Sequence, residues 1–146
     1  MAEIEKSVLV SYSAEQMFNL VDTVENYPAF LPWCSGASMQ MQDDGVAHAT
    51  ININYHHIKH SFTTKNNRRP PELIQMELLE GPFEKLDGHW HFIPLSDNAC
   101  KIEFSLRYTF SHKLLEKVVG PVFYLIANNF VEAFVARAEA VYGTSA

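Results

Sequence analysis

The sequence has few of the features that mark disulfide-rich, zinc-binding or membrane-spanning proteins. It contains only two cysteines among 146 residues, Cys34 and Cys100, which lie far apart and form no CxxC pair. A disulfide framework or a zinc knuckle needs closely spaced cysteines, so the sequence predicts neither. The longest apolar run, 118–127, is shorter than the stretch of about 20 residues that a membrane-spanning helix needs. We therefore expect a soluble protein with reduced thiols.

Positive charge is also scarce. Eleven Lys and Arg residues face 17 Asp and Glu residues, which gives a formal net charge of −6. Generic nucleic-acid binding needs a basic surface, so this class is excluded, although a local basic patch is not. The segment 1–6 carries charges and no apolar stretch, which predicts that there is no signal peptide and that the protein is cytoplasmic.

Aromatic residues, by contrast, are plentiful. The chain has ten Phe, six Tyr and two Trp residues. This surplus fits an apolar pocket, and it fits equally well a core filled by packed rings. No internal repeat or linker interrupts the chain, so we expect a single domain over 1–146.

The first third of the chain predicts one strand followed by two short helices. Apolar and polar residues alternate over 3–11, which indicates a strand. Ser13 and Gln16 have the spacing of a capping box, which predicts a helix over 13–22. A second short helix is predicted over 25–30, in a segment flanked by prolines.

The rest of the chain predicts an antiparallel sheet and a long helix. Between residues 38 and 110 the hydrophobic period is two, with turn signals between the runs, which indicates a six-strand meander with one wet and one apolar face. A helical stripe covers 112–142, and Gly120-Pro121 is predicted to kink it near its start. The helix is the obvious cover for the apolar face of the sheet, so the class is α+β.

Several short runs resemble a known family. The most specific is the run from Tyr27 to Cys34 (Tyr-Pro-Ala-Phe-Leu-Pro-Trp-Cys), and others begin at Val10, Gly81 and Trp90. In these motifs, which appear in order across about 3–142, the chain resembles the coenzyme-Q-binding START family of the polyketide cyclase/dehydrase and lipid transport superfamily, including its bacterial ribosome-associating members. The resemblance implies a helix-grip fold of the START/Bet v 1 type, with a six- to seven-stranded antiparallel sheet wrapped around a long C-terminal helix.

The resemblance implies two main roles, which the fold does not distinguish. In the first, the protein holds ubiquinone (coenzyme Q) or another lipid in a cavity between sheet and helix, supports respiratory electron transport, contacts the inner membrane peripherally and requires no other cofactor. In the second, it is a toxin of a toxin–antitoxin pair that binds the large ribosomal subunit and blocks subunit joining. A third alternative is an enzyme of the polyketide cyclase/dehydrase type.

A cavity for an apolar tail would be lined by the inward residues of the sheet and the helix. The alternative is that these residues pack against one another without a void. The predicted lining is Ile51, Tyr55, His60, Phe62, Met76, Trp90, Phe92, Phe104 and Leu106 from the sheet, with Phe123, Ile126, Phe130 and Phe134 from the helix.

Two parts of this predicted site have alternative readings. His60 either donates a hydrogen bond to a quinone carbonyl or lies at the sheet edge. Phe30, Leu31 and Trp33 are predicted to form the lip of the cavity or a membrane-touching patch, and the alternative is a loop folded onto the core.

Support for catalysis or metal binding is thin. No nucleophile elbow, phosphate loop or catalytic triad order is visible, so no catalytic residue is assigned and a non-enzyme is expected. A cyclase would need an acid or base inside the cavity, for which His60, Tyr55 and Tyr108 are the candidates. His89 and His91 share one strand face, but spacing assigns no third ligand, so no metal site is predicted.

One small basic cluster bears on the ribosome alternative. Lys59, Lys65, Arg68 and Arg69 lie on and beside one predicted hairpin and are candidates for contact with ribosomal RNA. The alternative is an ordinary solvated turn. The acidic total leaves this patch small, and no DNA binding is expected.

Overall fold

A computed structural model describes residues 2–143 of the chain and shows seven strands. They are β1 Ala2–Val10, β2 Cys34–Met41, β3 Val46–Tyr55, β4 Ile58–Arg69, β5 Leu73–Glu80, β6 Phe83–Ser96 and β7 Ala99–Phe110. All belong to one antiparallel sheet in the order β1-β7-β6-β5-β4-β3-β2. The predicted first strand and six-strand meander are therefore confirmed. The predicted domain bounds 1–146 include Met1 and 144–146, which lie outside the described residues.

Two short helices follow β1, as predicted. The first, α1, spans Ala14–Asp22 and begins with a complete capping box, in which Ser13 and Gln16 each bond to the backbone of the other. The second is a 3₁₀ helix over Val24–Ala29. Both helices bury apolar residues against the sheet, so they close one end of the space beneath it.

The C-terminal segment forms two helices, not one. They are α2 Lys113–Asn128 and α3 Phe130–Tyr142, with a bend of 42° between them. The predicted kink at Gly120-Pro121 is wrong in position, because α2 continues through these residues and the break lies at Asn129. No single helix within residues 2–143 has the length and apolar character to cross a membrane, and only the bent α2–α3 pair meets that test jointly.

Local hydrogen bonding explains why the break falls at Asn129. Its side-chain Nδ2 donates to the carbonyl of Leu125 at 2.9 Å, and its backbone N–H also reaches the carbonyls of Leu125 and Ile126. Asparagine side chains compete in this way with the regular helical ladder. Pro121 removes only one backbone donor, and the buried side chains of Val119 and Phe123 hold the helix on the sheet at either side of it.

The core lies between the inner face of the sheet and the helices. Strand β7 shows the pattern most clearly, because every second residue from Cys100 to Phe110 is buried. The strand also pairs along its length with β1, from Ala2 opposite Tyr108 to Val10 opposite Cys100. The outer face of the sheet carries the polar residues, as the period-two pattern predicts.

Candidate ligand-binding cavity

A cavity of about 70 Å³ lies between the inner face of the sheet and the helices. Strands β3 to β7 form one wall, α2 and the start of α3 form the opposite wall, and the segment from α1 to Trp33 closes one end. The lining residues are Val21, Val24, Tyr27, Trp33, Ala49, Ile51, Ile53, Phe62, Thr64, Asn66, Ile74, Met76, Leu86, Trp90, Phe104, Leu106, Phe123, Ile126, Ala127 and Phe130.

The structure brings most of the sequence-predicted lining residues together. Those that reach the cavity are Ile51, Phe62, Met76, Trp90, Phe104, Leu106, Phe123, Ile126 and Phe130. Their contact with a ligand remains a prediction. The break at Asn129 matters here, since it lies directly between the lining residues Ala127 and Phe130.

Phe92 and Phe134 were predicted to line the cavity, but both lie behind its wall. Each is fully buried, and each packs on the indole of Trp90, at centroid distances of 6.0 Å for Phe92 and 5.4 Å for Phe134. Phe92 also meets Phe18 of α1 edge-on. The two rings therefore support the wall and do not touch the space it encloses.

Tyr55 and His60 were also predicted to line the cavity, and neither does. They lie beside the β3–β4 turn, before β4 begins to pair with β5 at Thr63. The ring of Tyr55 packs on His56 in the turn, at 4.3 Å between centroids, and His60 is only half-buried opposite Ile53. The sheet-edge reading of His60 therefore describes its position.

The predicted lip is divided between the cavity and the core. Trp33 lines the cavity, but Leu31 is 1% exposed and belongs to the core. Phe30 packs against Phe134 at 5.3 Å and lies under the guanidinium of Arg137 at 5.0 Å. Most of this segment is thus folded onto the core.

Two polar residues, Thr64 and Asn66, interrupt the apolar wall, and the sequence prediction missed both as site residues. They are 5% and 6% exposed, and the Thr64 hydroxyl donates to Asn66 Oδ1 at 2.7 Å. A buried polar pair of this kind costs free energy unless its hydrogen bonds are satisfied. The signal was present in the alternation of β4, since both residues continue the inward face that contains Phe62.

Tyr27 adds a hydroxyl group to the wall. Its hydroxyl donates to the backbone carbonyl of Val21, and burial raises the pKa of this phenol far above its ordinary value. The remaining lining residues other than Thr64 and Asn66 carry no acid, base or charge. Tyr108, a candidate acid for the cyclase alternative, packs on Phe123 and lies outside the lining.

The predicted basic cluster is not one surface. Arg68 points to the inner side of β4, where it pairs with Asp22 at 2.6 Å, and both side chains are about 15% exposed. The other three basic residues lie on the opposite face of β4 from Arg68, because they occupy odd-numbered positions of the strand. They are Lys59, Lys65 and Arg69, and Lys65 lies 3.7 Å from Glu77. The prediction that Arg68 faces an external partner is therefore wrong, because its charge is used within the fold.

The histidine pair on β6 lies on the outer face of the sheet. His91 is near Glu72 at 3.9 Å and Glu103 at 3.6 Å, and His89 is exposed. Within residues 2–143 no group of three His, Cys, Asp or Glu side chains is arranged to hold a metal ion.

A curved antiparallel sheet that covers C-terminal helices, with an apolar cavity between the two, defines a helix-grip protein of the START/Bet v 1 type. The chain belongs to the polyketide cyclase/dehydrase and lipid transport family, whose model matches residues 10–135. The resemblance stated from the sequence motifs is thereby confirmed.

Named relatives match the chain over nearly its whole length. The ribosome association toxin RatA of Vibrio cholerae is 43% identical over 143 residues, which cover 98% of this chain and 99% of that protein. RatA of Escherichia coli is 44% identical, with 97% and 90% covered. The mitochondrial coenzyme Q-binding protein COQ10 homolog B of Xenopus laevis is 26% identical, with 97% of this chain and 59% of that protein covered.

Solved structures agree on the fold. An 18 kDa protein from Caulobacter crescentus has a TM-score of 0.75 at 28% identity, with 99% of this chain and 100% of that chain covered. The Zhui aromatase/cyclase from a Streptomyces species has a TM-score of 0.78 at 15% identity, with 94% and 93% covered. The second likeness concerns the fold alone.

Proposed function

We propose that this protein binds a hydrophobic small molecule of the ubiquinone type in the cavity between its sheet and its helices. The observation that carries the proposal is the chemistry of the wall, which is apolar except for Thr64, Asn66, the hydroxyl of Tyr27 and the indole N–H groups of Trp33 and Trp90. A ligand with a long apolar tail and a small polar ring matches this wall. The family's description as lipid transport and the COQ10-named relative support the same choice.

Burial of the tail supplies the binding free energy in this proposal. Each methylene removed from water contributes about 0.8 kcal/mol. Several isoprene units therefore suffice for micromolar affinity before ordering costs are counted. A role in respiratory electron transport, a cytoplasmic location and peripheral contact with the inner membrane belong to this proposal.

The wall must move outward to admit such a ligand, since a cavity of about 70 Å³ holds only part of one. The half-buried lining residues Trp33, Ile51, Phe62, Met76 and Phe130 have solvent on one side, so they are the part of the wall that can yield. Met76 adds a flexible side chain at this side.

Tryptophan fluorescence gives a direct test. Both tryptophans of the chain, Trp33 and Trp90, line the cavity, and a quinone bound there quenches their emission. Titration with decylubiquinone should give saturable quenching. Ala127→Leu should fill the cavity and abolish this quenching, whereas Ala140→Leu, the same change at an exposed position of α3, should not. Absence of saturable quenching in the wild-type protein would refute the proposal.

We propose binding without turnover. The acids and bases expected for a cyclase do not reach the cavity, and the hydroxyl of Tyr27 is held by a backbone carbonyl. General acid–base catalysis needs a group whose pKa lies near the working pH, and burial moves the pKa of Tyr27 away from it.

Ribosome association is a second proposed function, favoured by identities of 43% and 44% to RatA-named proteins over nearly the full chain. On this proposal the contact includes Lys59, Lys65 and Arg69 on the outer side of β4. Cosedimentation with purified large ribosomal subunits in a sucrose gradient tests it.

Two variants test the contact surface, one with positive charges reversed on β4 and one with positive charges reversed on α2. Replacement of Lys59, Lys65 and Arg69 by Glu should move the protein to the top of the gradient, because phosphate contacts are lost. Replacement of Lys113 and Lys117 on α2 by Glu should leave the protein bound to the subunits. If the wild-type protein stays at the top, the second function fails and the first is untouched.

A further inference from the structure

We infer that the cavity selects a neutral ligand whose polar end is a hydrogen-bond acceptor, and that the side-chain amide of Asn66, oriented by Thr64, is the group that holds it. The inference rests on the proposed function and specifies the chemistry of its ligand. It follows from one polar pair and from the charge of the whole wall.

In the side-chain amide of Asn66 the oxygen accepts a hydrogen bond, and the nitrogen has no partner among the described residues. Its Oδ1 accepts the hydroxyl proton of Thr64 at 2.7 Å, which fixes the orientation of the carboxamide. Its Nδ2 donates to no protein atom in the described part of the chain, although Asn66 is only 6% exposed.

The free amide nitrogen belongs to a residue that lines the cavity. Within residues 2–143, no fully enclosed side-chain nitrogen or oxygen lacks a hydrogen-bond partner. An unpartnered Nδ2 of Asn66 must therefore contact open space, and Asn66 is a lining residue of the cavity. An amide donor directed into an apolar space is matched by a carbonyl or ether oxygen of a ligand.

The charge of the wall decides between neutral and anionic acceptors. None of the lining residues is Lys, Arg or His, and Arg68, two residues beyond Asn66, is committed to both oxygens of Asp22. A carboxylate or phosphate placed beside Asn66 would be desolvated without a counter-charge, which is far more costly than burial of a neutral carbonyl. The wall therefore favours quinones and esters over free fatty acids and phospholipid headgroups.

The experiment compares three probes that share a ten-carbon chain. Decylubiquinone carries neutral acceptors and is followed by quenching of Trp33 and Trp90. Decylbenzene has no acceptor, decanoate is charged, and both are measured as competitors of decylubiquinone. The wild-type protein should bind decanoate at least tenfold more weakly than decylubiquinone.

The variants remove the donor or its orientation. Asn66→Leu should weaken decylubiquinone about tenfold, which corresponds to about 1.4 kcal/mol, and should leave decylbenzene unchanged. Thr64→Val should weaken decylubiquinone less, because the amide remains and only its orientation is lost. Asn67→Leu, the same change at an exposed position on the outer face of β4, is the control and should alter neither probe.

The outcomes separate this inference from the proposed function. If decylubiquinone binds and Asn66→Leu binds it equally well, the role of Asn66 is refuted while ligand binding stands. If decanoate competes as well as the neutral quinone, the selection for neutral ligands is refuted. If no probe binds the wild-type protein, both the proposed ligand binding and the role of Asn66 are refuted. Should Asn66→Leu lower the melting temperature, the double replacement Thr64→Val with Asn66→Leu removes the whole pair and repeats the test without an unpaired hydroxyl.

Discussion

Arg68 holds both carboxylate oxygens of Asp22, with Nε 2.6 Å from Oδ1 and Nη2 2.6 Å from Oδ2. The hydrogen bond to Asp22 raises the pKa of the Arg68 guanidinium. Asp22 is the last residue of α1 and lies between the cavity-lining residues Val21 and Val24. This ion pair therefore fixes the end of α1 to strand β4 at one end of the cavity.

Replacement of Arg68 by Lys should destabilise the protein, because an ammonium group cannot bond both oxygens in this geometry. We expect a loss of about 1–3 kcal/mol in the free energy of unfolding, since the pair is mostly buried. Urea denaturation measures it. Arg107→Lys is the control, because Arg107 and Asp87 form an exposed pair and the midpoint should not move. Equal midpoints for both variants would show that the Asp22 pair is unimportant.

Gly88 should not tolerate a side chain. A Cβ at this position would overlap the backbone carbonyl oxygen of Ser105 on the neighbouring strand. Gly88→Ala should therefore force β6 and β7 apart and destabilise the protein by about 1–3 kcal/mol. The same change at Gly120 of α2 meets only ordinary van der Waals contacts, with Glu116 and with Phe110 of β7, and should stabilise the protein by up to about 1 kcal/mol. Thermal melting distinguishes these opposite shifts, and a stable Gly88→Ala variant would contradict the geometry.

Stability should fall in alkaline solution. Burial raises the pKa of the Cys100 thiol to about 11 and that of the Tyr108 phenol to about 12. Both groups are neutral when protonated, so the folded state keeps its protons to a higher pH than the unfolded state does. The contribution of Cys100 is thus complete below pH of about 9 and is lost as the pH rises through its folded pKa.

Urea denaturation at pH 8 and at pH 10.5 tests this sign. The wild-type protein should lose stability between the two, and Cys100→Ala should lose less because one of the contributing groups is gone. An identical loss in both proteins would mean that Cys100 does not contribute.

Tyr27→Phe should lower stability by about 1 kcal/mol, because it leaves the carbonyl of Val21 without the phenolic donor. Tyr27→Ala should cost far more, since the ring also packs edge-on against Phe30, Phe130 and Phe134. Denaturation of the two variants in parallel separates the hydroxyl from the ring. A Phe variant as unstable as the Ala variant would contradict this division.

The architecture could be predicted from the sequence because it depends on periodicity. Seven alternating or strand-like runs, a capping box at Ser13 and a long apolar stripe leave few ways to bury the hydrophobic residues. The break at Asn129 could not be predicted in the same way. It depends on one side-chain bond to a carbonyl four residues earlier, whereas the stronger sequence signal, Pro121, is overridden by packing.

The site was predictable only in its apolar part. The alternation of β4 places Phe62 on the inner face of the sheet and so identifies it as a lining residue. Every second residue after it, Thr64, Asn66 and Arg68, lies on the same face. These three residues were not predicted as cavity residues because they are polar, and a polar residue at the end of an apolar run usually marks the end of burial. The structure shows that Thr64 donates a hydrogen bond to Asn66 within the wall and that Arg68 is paired with an aspartate 46 positions earlier in the sequence.

The pairing of β1 with β7 has a consequence for synthesis. Strand β1 is translated before every other strand of this sheet, but its neighbour β7 is the last of them, so residues 2–10 wait unpaired until residues 99–110 have been translated. Such distant pairings fold slowly, and an unpaired strand edge invites aggregation in the meantime. The nascent chain therefore exposes the apolar face of the sheet and an unpaired strand edge together, and chaperones have their longest opportunity to act in the interval before β7 is complete.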